Sequence, residues 1–193
     1  MSKHVSIAPA EAADRLAIRE LVEAYAHCAD RRDAKGQMAL FTEDTHFVVY
    51  MNARDPRPSQ ELHSREALAQ VFAELNKYEA TTHFIGQSTI FTLAGDRATG
   101  ETYCLAHHVT VDGAMRRLMV ASLRYLDTFA KINGSWSFAE RLLYVDWLEE
   151  RSGLVGGVKY FLFRKVPRDV SWLQTLGSAT LTAFIVQAIT GSI

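Results

Sequence analysis

Between Pro9 and about Asp30, apolar residues recur every three or four positions, at Leu16, Ile18, Leu21, Val22, Tyr25, Ala26 and Ala29. Arg15, Arg19, Glu20 and Glu23 fall between them. That spacing gathers apolar groups on one side of a 3.6-residue repeat and predicts an amphipathic helix. Asp33 is placed to cap a second, short helix through Met38 to Phe41, after which Glu43, Asp44 and Thr45 read as a turn. His46 to Met51 reads as a strand. Pro56 and Pro58, set among Arg54, Asp55 and Arg57, make Asn52 to Gln60 an extended polar loop, because proline forbids helix and disfavours it in the residue before. Ser64 caps a helix reaching about Lys77. Four β-rich runs follow, Thr82 to Leu93, Ala98 to Val111, Met115 to Phe129 and Trp136 to Trp147. Ala94-Gly95-Asp96, Asp112-Gly113 and Asn133-Gly134 separate them, and such turns join antiparallel neighbours.

Helices first and a long meander afterwards is an α+β order. The predicted strands run to roughly 11 to 15 residues, against a usual length of about 5 to 6. Sheets built from strands this long must twist and curl. A curled, mixed or antiparallel sheet wrapped around the N-terminal helices encloses a cone with a pocket at its open end. Residues 1–150 are expected to form this cone domain. Residues 151–193 are expected to form a C-terminal extension over the pocket mouth or a neighbouring subunit. Gly153 to Gly157 breaks the chain there, Val158 to Val166 is apolar with basic punctuation, and Ser171 to Ile193 carries no charge. Gln174, Thr175, Gly177, Ser178, Thr180, Thr182 and Gln187 interrupt that last stretch, so it falls short of the ~20 apolar residues of a membrane span.

Composition narrows the class. The chain has 193 residues, 48% of them apolar, with 21 Lys and Arg against 22 Asp and Glu. One core is well supported at that length, and the charge balance argues against nucleic acid as a partner. The two cysteines, Cys28 and Cys104, make neither a disulfide framework nor a zinc set, and Met1 to Ala10 lacks the apolar run of a secretory leader. A cytoplasmic location is expected.

Among the seven histidines, the question is which one meets an acid. His83 opens the first long run, and alternation puts Ile85, Gln87, Thr89 and Phe91 on its face. Asp30 ends the first helix at the border of the apolar stripe, and Tyr25, five residues earlier, borders it too. A carboxylate beside an imidazole fixes its tautomer and stabilises its protonated form, which makes a general base able to take a proton from carbon. A core histidine and an unrelated surface aspartate would give the same local strings. His27, His46 and His63 read as solvated, and Arg116, Arg117 and Arg124 as surface or subunit contacts. Trp136 and Trp147 read as core or rim packing. No metal is expected, since His107 and His108 diverge on a strand and no second histidine or carboxylate at two-residue spacing completes a coordination face. Gly153-Leu-Val-Gly-Gly157 lacks the strand and helix of a dinucleotide loop.

The order of Tyr25-Ala-His-Cys-Ala-Asp30, Ala39-Leu-Phe-Thr-Glu-Asp44, Thr82-His-Phe-Ile-Gly86, Ala98-Thr-Gly-Glu101 and Asn133-Gly-Ser-Trp136 resembles the SnoaL-like branch of the nuclear transport factor 2-like superfamily. The resemblance spans Ala13 to Trp147. It implies the cystatin-like cone and a cofactor-free lyase, isomerase or cyclase. It assigns His83 as catalytic base, Asp30 as its acid partner and Tyr25 as a catalytic tyrosine. His108, Tyr50 and Arg141 fall where members of the superfamily line the pocket, with His107 on the opposite face. Asp33 is a rival to Asp30 in an ungapped alignment, although it is also well used as a cap. Leu123 and Tyr125 stand where a dehydratase of the superfamily carries serine and asparagine, so the substrate differs.

The implied activity is dehydration or another β-elimination on a small, largely apolar carbonyl compound, with Tyr25, Tyr50 or Arg141 stabilising the oxyanion. The same pair could serve an isomerase. A non-catalytic ligand-binding or dimerisation module, or the small subunit of a ring-hydroxylating dioxygenase, would share the fold. Tyr103, Leu105, Leu118, Val120, Leu143 and Val145 are expected on an outer apolar face covered in a homodimer or homotrimer.

Overall fold

The computed structural model describes residues 7–113 and 115–152, together with Ala183 and Gln187. The chain divides into two compact units, Met1–Gly153 and Leu154–Ile193. In the second, Ala183 and Gln187 are helical and exposed. The expectations for Gly153 to Gly157, Val158 to Val166 and the uncharged stretch otherwise lie outside the described residues. Among the described residues, no helix is long and apolar enough to cross a membrane.

The first unit opens with α1 (Pro9–Arg31), which starts on a proline in the first turn, where the missing N–H has no intrahelical partner to lose and the fixed φ suits the helix. Its buried residues Ile18, Leu21, Val22, Tyr25, Ala26 and Ala29 form the apolar stripe, while Leu16 stays exposed. The helix ends in a Schellman motif: Asp33 N–H donates to Cys28 C=O at 2.9 Å and Arg32 N–H to Ala29 C=O at 3.2 Å. Arg32 takes the left-handed conformation (φ 62°) that glycine usually supplies there. Its side chain answers that strain, because the guanidinium donates to the carbonyls of Ala29, Asp30 and Tyr78. Asp33 caps α2 (Ala34–Ala39) by accepting from Gly36 N–H.

The sheet has six strands in the order β2-β1-β6-β5-β4-β3. They are β1 (Phe41–Tyr50), β2 (Gln60–Leu62), β3 (Ala80–Ala94), β4 (Arg97–Asp112), β5 (Met115–Ile132) and β6 (Ser135–Ser152). Among the described residues, only the β1/β6 pair is parallel, so the sheet is mixed. Asn133 and Gly134 both have positive φ, the requirement of a tight two-residue hairpin, and they join β5 to β6. Between β2 and β3 lie α3 (Leu68–Ala73) and a 3-10 turn over Glu74–Lys77.

Several expectations need correction. Glu43 to Thr45 is strand, because β1 already pairs with β6 at Phe41↔Phe138 and a bulge absorbs the polar residues before His46↔Glu140. Edge strand β2 went unread because its three residues carry no apolar alternation. Ser64 accepts from Ala67 N–H, but that turn precedes a helix that begins only at Leu68. In β3, an extra residue between Ile85↔Cys104 and Ser88↔Thr102 reverses the alternation, so Ser88 and Ile90 follow Ile85 on the inner side while Gln87, Thr89 and Phe91 are exposed.

The core lies between α1, α3 and the inner face of the sheet. Tyr25 makes edge-to-face contacts with Phe41, Phe72, Tyr125 and Phe138 at 5.9 to 6.0 Å between centroids, a packing that suits ring quadrupoles. On the outer face, Phe84, Leu105 and Trp147 lie in one cross-strand row through Ser122, and all three are exposed. Leu143 and Val145 were expected on that face. They line the inner cavity instead, because they share their parity with Arg141 beyond a bulge at Ala139.

Candidate active site

A cavity of about 510 Å³ opens in the hollow of the sheet, walled by apolar residues such as Phe47, Val49, Phe72, Leu123 and Val145. Its polar lining includes Tyr25, Lys77, Tyr78, His83, His108 and Tyr125. Apolar walls with a few convergent polar groups are the usual form of a small-molecule site.

Asp30 stands in the last turn of α1, beside the start of β3, and three donors converge on its carboxylate. His83 Nδ1 lies 2.7 Å from Oδ1, His83 backbone N–H donates to Oδ2 at 2.9 Å, and Thr81 Oγ1 donates to Oδ1 at 2.9 Å. Arg32 Nη1 donates to Thr81 Oγ1 at 2.7 Å. An arginine can only donate, so the Thr81 hydroxyl must turn its own proton to Asp30. With Nδ1–H engaged by a carboxylate, the neutral His83 ring carries its lone pair on Nε2, the remaining nitrogen of a cavity-lining side chain. Burial alone would raise the Asp30 carboxyl. The hydrogen bonds from the His83 ring and backbone, with that from Thr81, outweigh it and hold the group below its usual range. Asp33, occupied as the cap of α2, makes no such bond. Sequence reading did not single out Thr81 or Arg32. The signal available was a Thr-x-His string in which residues i and i+2 share a face.

His108 sits beside the pair, its ring perpendicular to His83 at 5.3 Å and tilted against Tyr78 at 4.5 Å. Its Nδ1 is buried without a hydrogen-bond partner. Burial first, then the positive charge available to His83, pushes His108 from the ordinary 6.5 down to about 4. Arg32 and Lys77 add to this and Asp30 opposes it. The neutral ring is therefore the native form. Between those two values the unfolded chain binds a proton that the folded one refuses, so stability falls as pH falls. Urea unfolding should show wild type losing about 2 kcal/mol more than His108→Gln between neutral pH and about pH 5. Equal losses in the two proteins would contradict the buried neutral ring.

Tyr25 lines the cavity floor, and burial raises its phenol, against the opposing Arg141 charge, so that it stays an O–H donor. Two expected pocket contacts lie elsewhere. Tyr50 follows Val49 on β1 and therefore faces outward, where its ring stacks on Tyr144 at 4.5 Å. Arg141 is fully buried and absent from the cavity wall. Its guanidinium forms a two-pronged pair with Asp127 at 2.7 and 2.8 Å, and its Cζ lies 4.0 to 4.2 Å from the centroids of Tyr25, Tyr125 and Phe138. Burial alone would favour the neutral form of Arg141, but the Asp127 carboxylate paired with it outweighs that and keeps the guanidinium firmly charged. Asp127 was missed, although it faces Arg141 across the hairpin.

Of the other candidates, His27 is exposed and Trp136 is buried, with Nε1–H donating to Asp14, while Trp147 is exposed. Arg124 pairs with Glu101 and Asp146, and Arg116 with Glu79. His46, read as solvated, is half-buried within β1 and bonded to Glu61 and Glu140.

Comparison with solved structures returns the same architecture. A hexachlorocyclohexane dehydrochlorinase is 16% identical, with a TM-score of 0.61 over 82% of this chain and 96% of that one. A protein from Novosphingobium aromaticivorans provisionally assigned as a scytalone dehydratase is 20% identical, with a TM-score of 0.60 over 71% and 87% of the two chains. From the same organism, the beta subunit of a provisionally assigned aromatic-ring-hydroxylating dioxygenase is 23% identical, with a TM-score of 0.59 over 71% and 92%. Comparison with curated proteins gave no match. The SnoaL-like domain family matches residues 10–142, and the chain accordingly belongs to that family, within the nuclear transport factor 2-like superfamily.

Proposed function

We propose that the protein is a lyase that dehydrates, or otherwise β-eliminates from, a small and largely apolar carbonyl compound, with His83 as base and Asp30 as the group that holds it. The observation that carries this reading is the 2.7 Å contact between Asp30 Oδ1 and His83 Nδ1 at the wall of an apolar cavity. In the proposed step, Nε2 of His83 takes the proton from the carbon next to the carbonyl, and Asp30 stabilises the imidazolium that forms. The electron pair of the broken C–H bond passes into the enolate oxygen, for which the Tyr25 O–H is the proposed donor. Collapse of the enolate forms the carbon–carbon double bond and expels the β-substituent, which takes up the proton held on His83 and leaves as water or acid. His83 relays the proton from carbon to the leaving group and Tyr25 only hydrogen-bonds the oxyanion, so the step balances with no external acid, base or redox partner. A mostly apolar wall suits a substrate with few polar groups beyond the carbonyl and the leaving group.

The test is a set of small β-hydroxy and β-halo carbonyl compounds incubated with the protein and followed by mass spectrometry and by absorbance of the conjugated product. Loss of water or hydrogen halide is the expected result. Products of unchanged mass would replace the lyase by an isomerase using the same pair, and no turnover of any compound would favour the ligand-binding module.

A further inference from the structure

On the outer face of the sheet, β2, β1 and β6 bring metal-ligating side chains together. His46 pairs in register with Glu140 across β1/β6. The β1/β2 register places Glu61 opposite Val48, and one step past Phe47↔Leu62 puts His63 opposite His46. The two imidazoles stack at 4.8 Å with their planes 7° apart. Glu61 Oε1 lies 2.8 Å from His46 Nε2 and 3.5 Å from His63 Nε2, and the three prospective ligand atoms lie within 4.8 Å of one another. The expectation of no metal rested on the absence of a ligand pair at two-residue spacing, but Glu61-x-His63 is such a pair.

We propose that His46, Glu61 and His63 bind a divalent transition-metal ion of the zinc or nickel class, with Glu140 orienting His46 from behind. Two imidazole nitrogens and one carboxylate suit such borderline ions better than magnesium or calcium, which prefer all-oxygen sites. Tetrahedral bonds of about 2.0 to 2.1 Å require ligand atoms roughly 3.3 Å apart. Reaching that spacing also requires one of the two stacked rings to rotate so that both in-plane lone pairs meet at one point, and His63, the more exposed of the two histidines, is the ring with room to turn. The supporting shell is already built: His46 Nδ1 donates to Glu140 Oε1 at 2.8 Å, and Thr128 Oγ1 donates to Glu140 Oε2 at 3.3 Å. A carboxylate on the far ring nitrogen directs the near one to a metal and increases its basicity. Charge points the same way. Among the described residues, neither Glu61 nor Glu140 has a lysine or arginine salt-bridge partner, so histidine alone answers two carboxylates. A bound ion would clasp the three-residue edge strand β2 to the sheet, next to Gln60, which lines the cavity.

The experiment is calorimetric titration of the tag-free, chelator-stripped full chain with zinc or nickel ions, alongside cobalt absorption spectra and thermal unfolding. One ion per chain, a tetrahedral or five-coordinate cobalt spectrum and a raised unfolding temperature are expected. His63→Ala should remove saturable binding, and Glu140→Gln should weaken it by about 10 to 100-fold. His27→Ala, at an exposed histidine elsewhere, should bind as wild type does. Absence of saturable binding, or affinity undiminished in both His63→Ala and Glu61→Gln with their circular dichroism intact, would overturn the proposal.

Discussion

Asp30→Asn should lower turnover by about two to four orders of magnitude, the range that a positioned general base contributes, while leaving the chain folded. The reason lies in the hydrogen-bond count at Asp30. It accepts from His83 N–H, His83 Nδ1–H and Thr81 O–H, and a carboxylate has acceptor capacity for all three. An amide has one acceptor oxygen. If that oxygen keeps the backbone N–H, its NH₂ group faces the imidazole, and Nδ1 must become the acceptor. The ring proton then moves to Nε2, which removes the lone pair from the nitrogen proposed to act as base. Stability should fall by about 1 to 3 kcal/mol through the unsatisfied donor, which urea unfolding would separate from the kinetic loss. Turnover within about threefold of wild type would show that His83 does not depend on this tautomer.

The largest stability effect is expected at Asp127. Its pair with Arg141 is fully buried on both sides, and Asp127→Ala leaves a guanidinium in the core with only ring faces around it. Breaking a buried pair from one side costs about 3 to 5 kcal/mol. Replacing both members, as in Asp127→Leu with Arg141→Met, should recover most of that, because desolvation of the pair consumes much of its attraction. Denaturant midpoints of the single and double variants give the comparison. A double variant as unstable as Asp127→Ala would mean that Arg141 serves the core through more than this charge pair.

Much of the fold was legible because its signals are local. The 3-4 spacing from Ile18 to Ala29 and the Gly-containing turns at 95, 113 and 134 state α1 and the meander without tertiary information. What sequence reading lost were events that depend on a neighbouring strand. The bulge after Ile85 sent Thr89 and Phe91 outward, and the bulge at Ala139 decides where the Arg141, Leu143 and Val145 series falls. Neither shift leaves a mark in a single strand's alternation. Tyr50 is a different case. Phe47 and Val49 on the cavity side already required it to face outward, and family resemblance overrode that parity. At the candidate site, Asp30 and His83 are brought together, while the Thr81 and Arg32 contacts that orient them came only with the helix C-terminus packed on β3. His46 shows the same limit, because its partners sit on two other strands.

Solvent-deuterium exchange is the direct probe of His83 as a base. Proton NMR in deuterium oxide would follow the hydrogen next to the carbonyl of a turned-over compound, or of its analogue lacking the leaving group, with wild type and His83→Ala compared. The proposed chemistry predicts exchange by wild type and a rate at least about 100-fold lower in His83→Ala, with the fold retained by circular dichroism. Exchange at the wild-type rate in His83→Ala would contradict it.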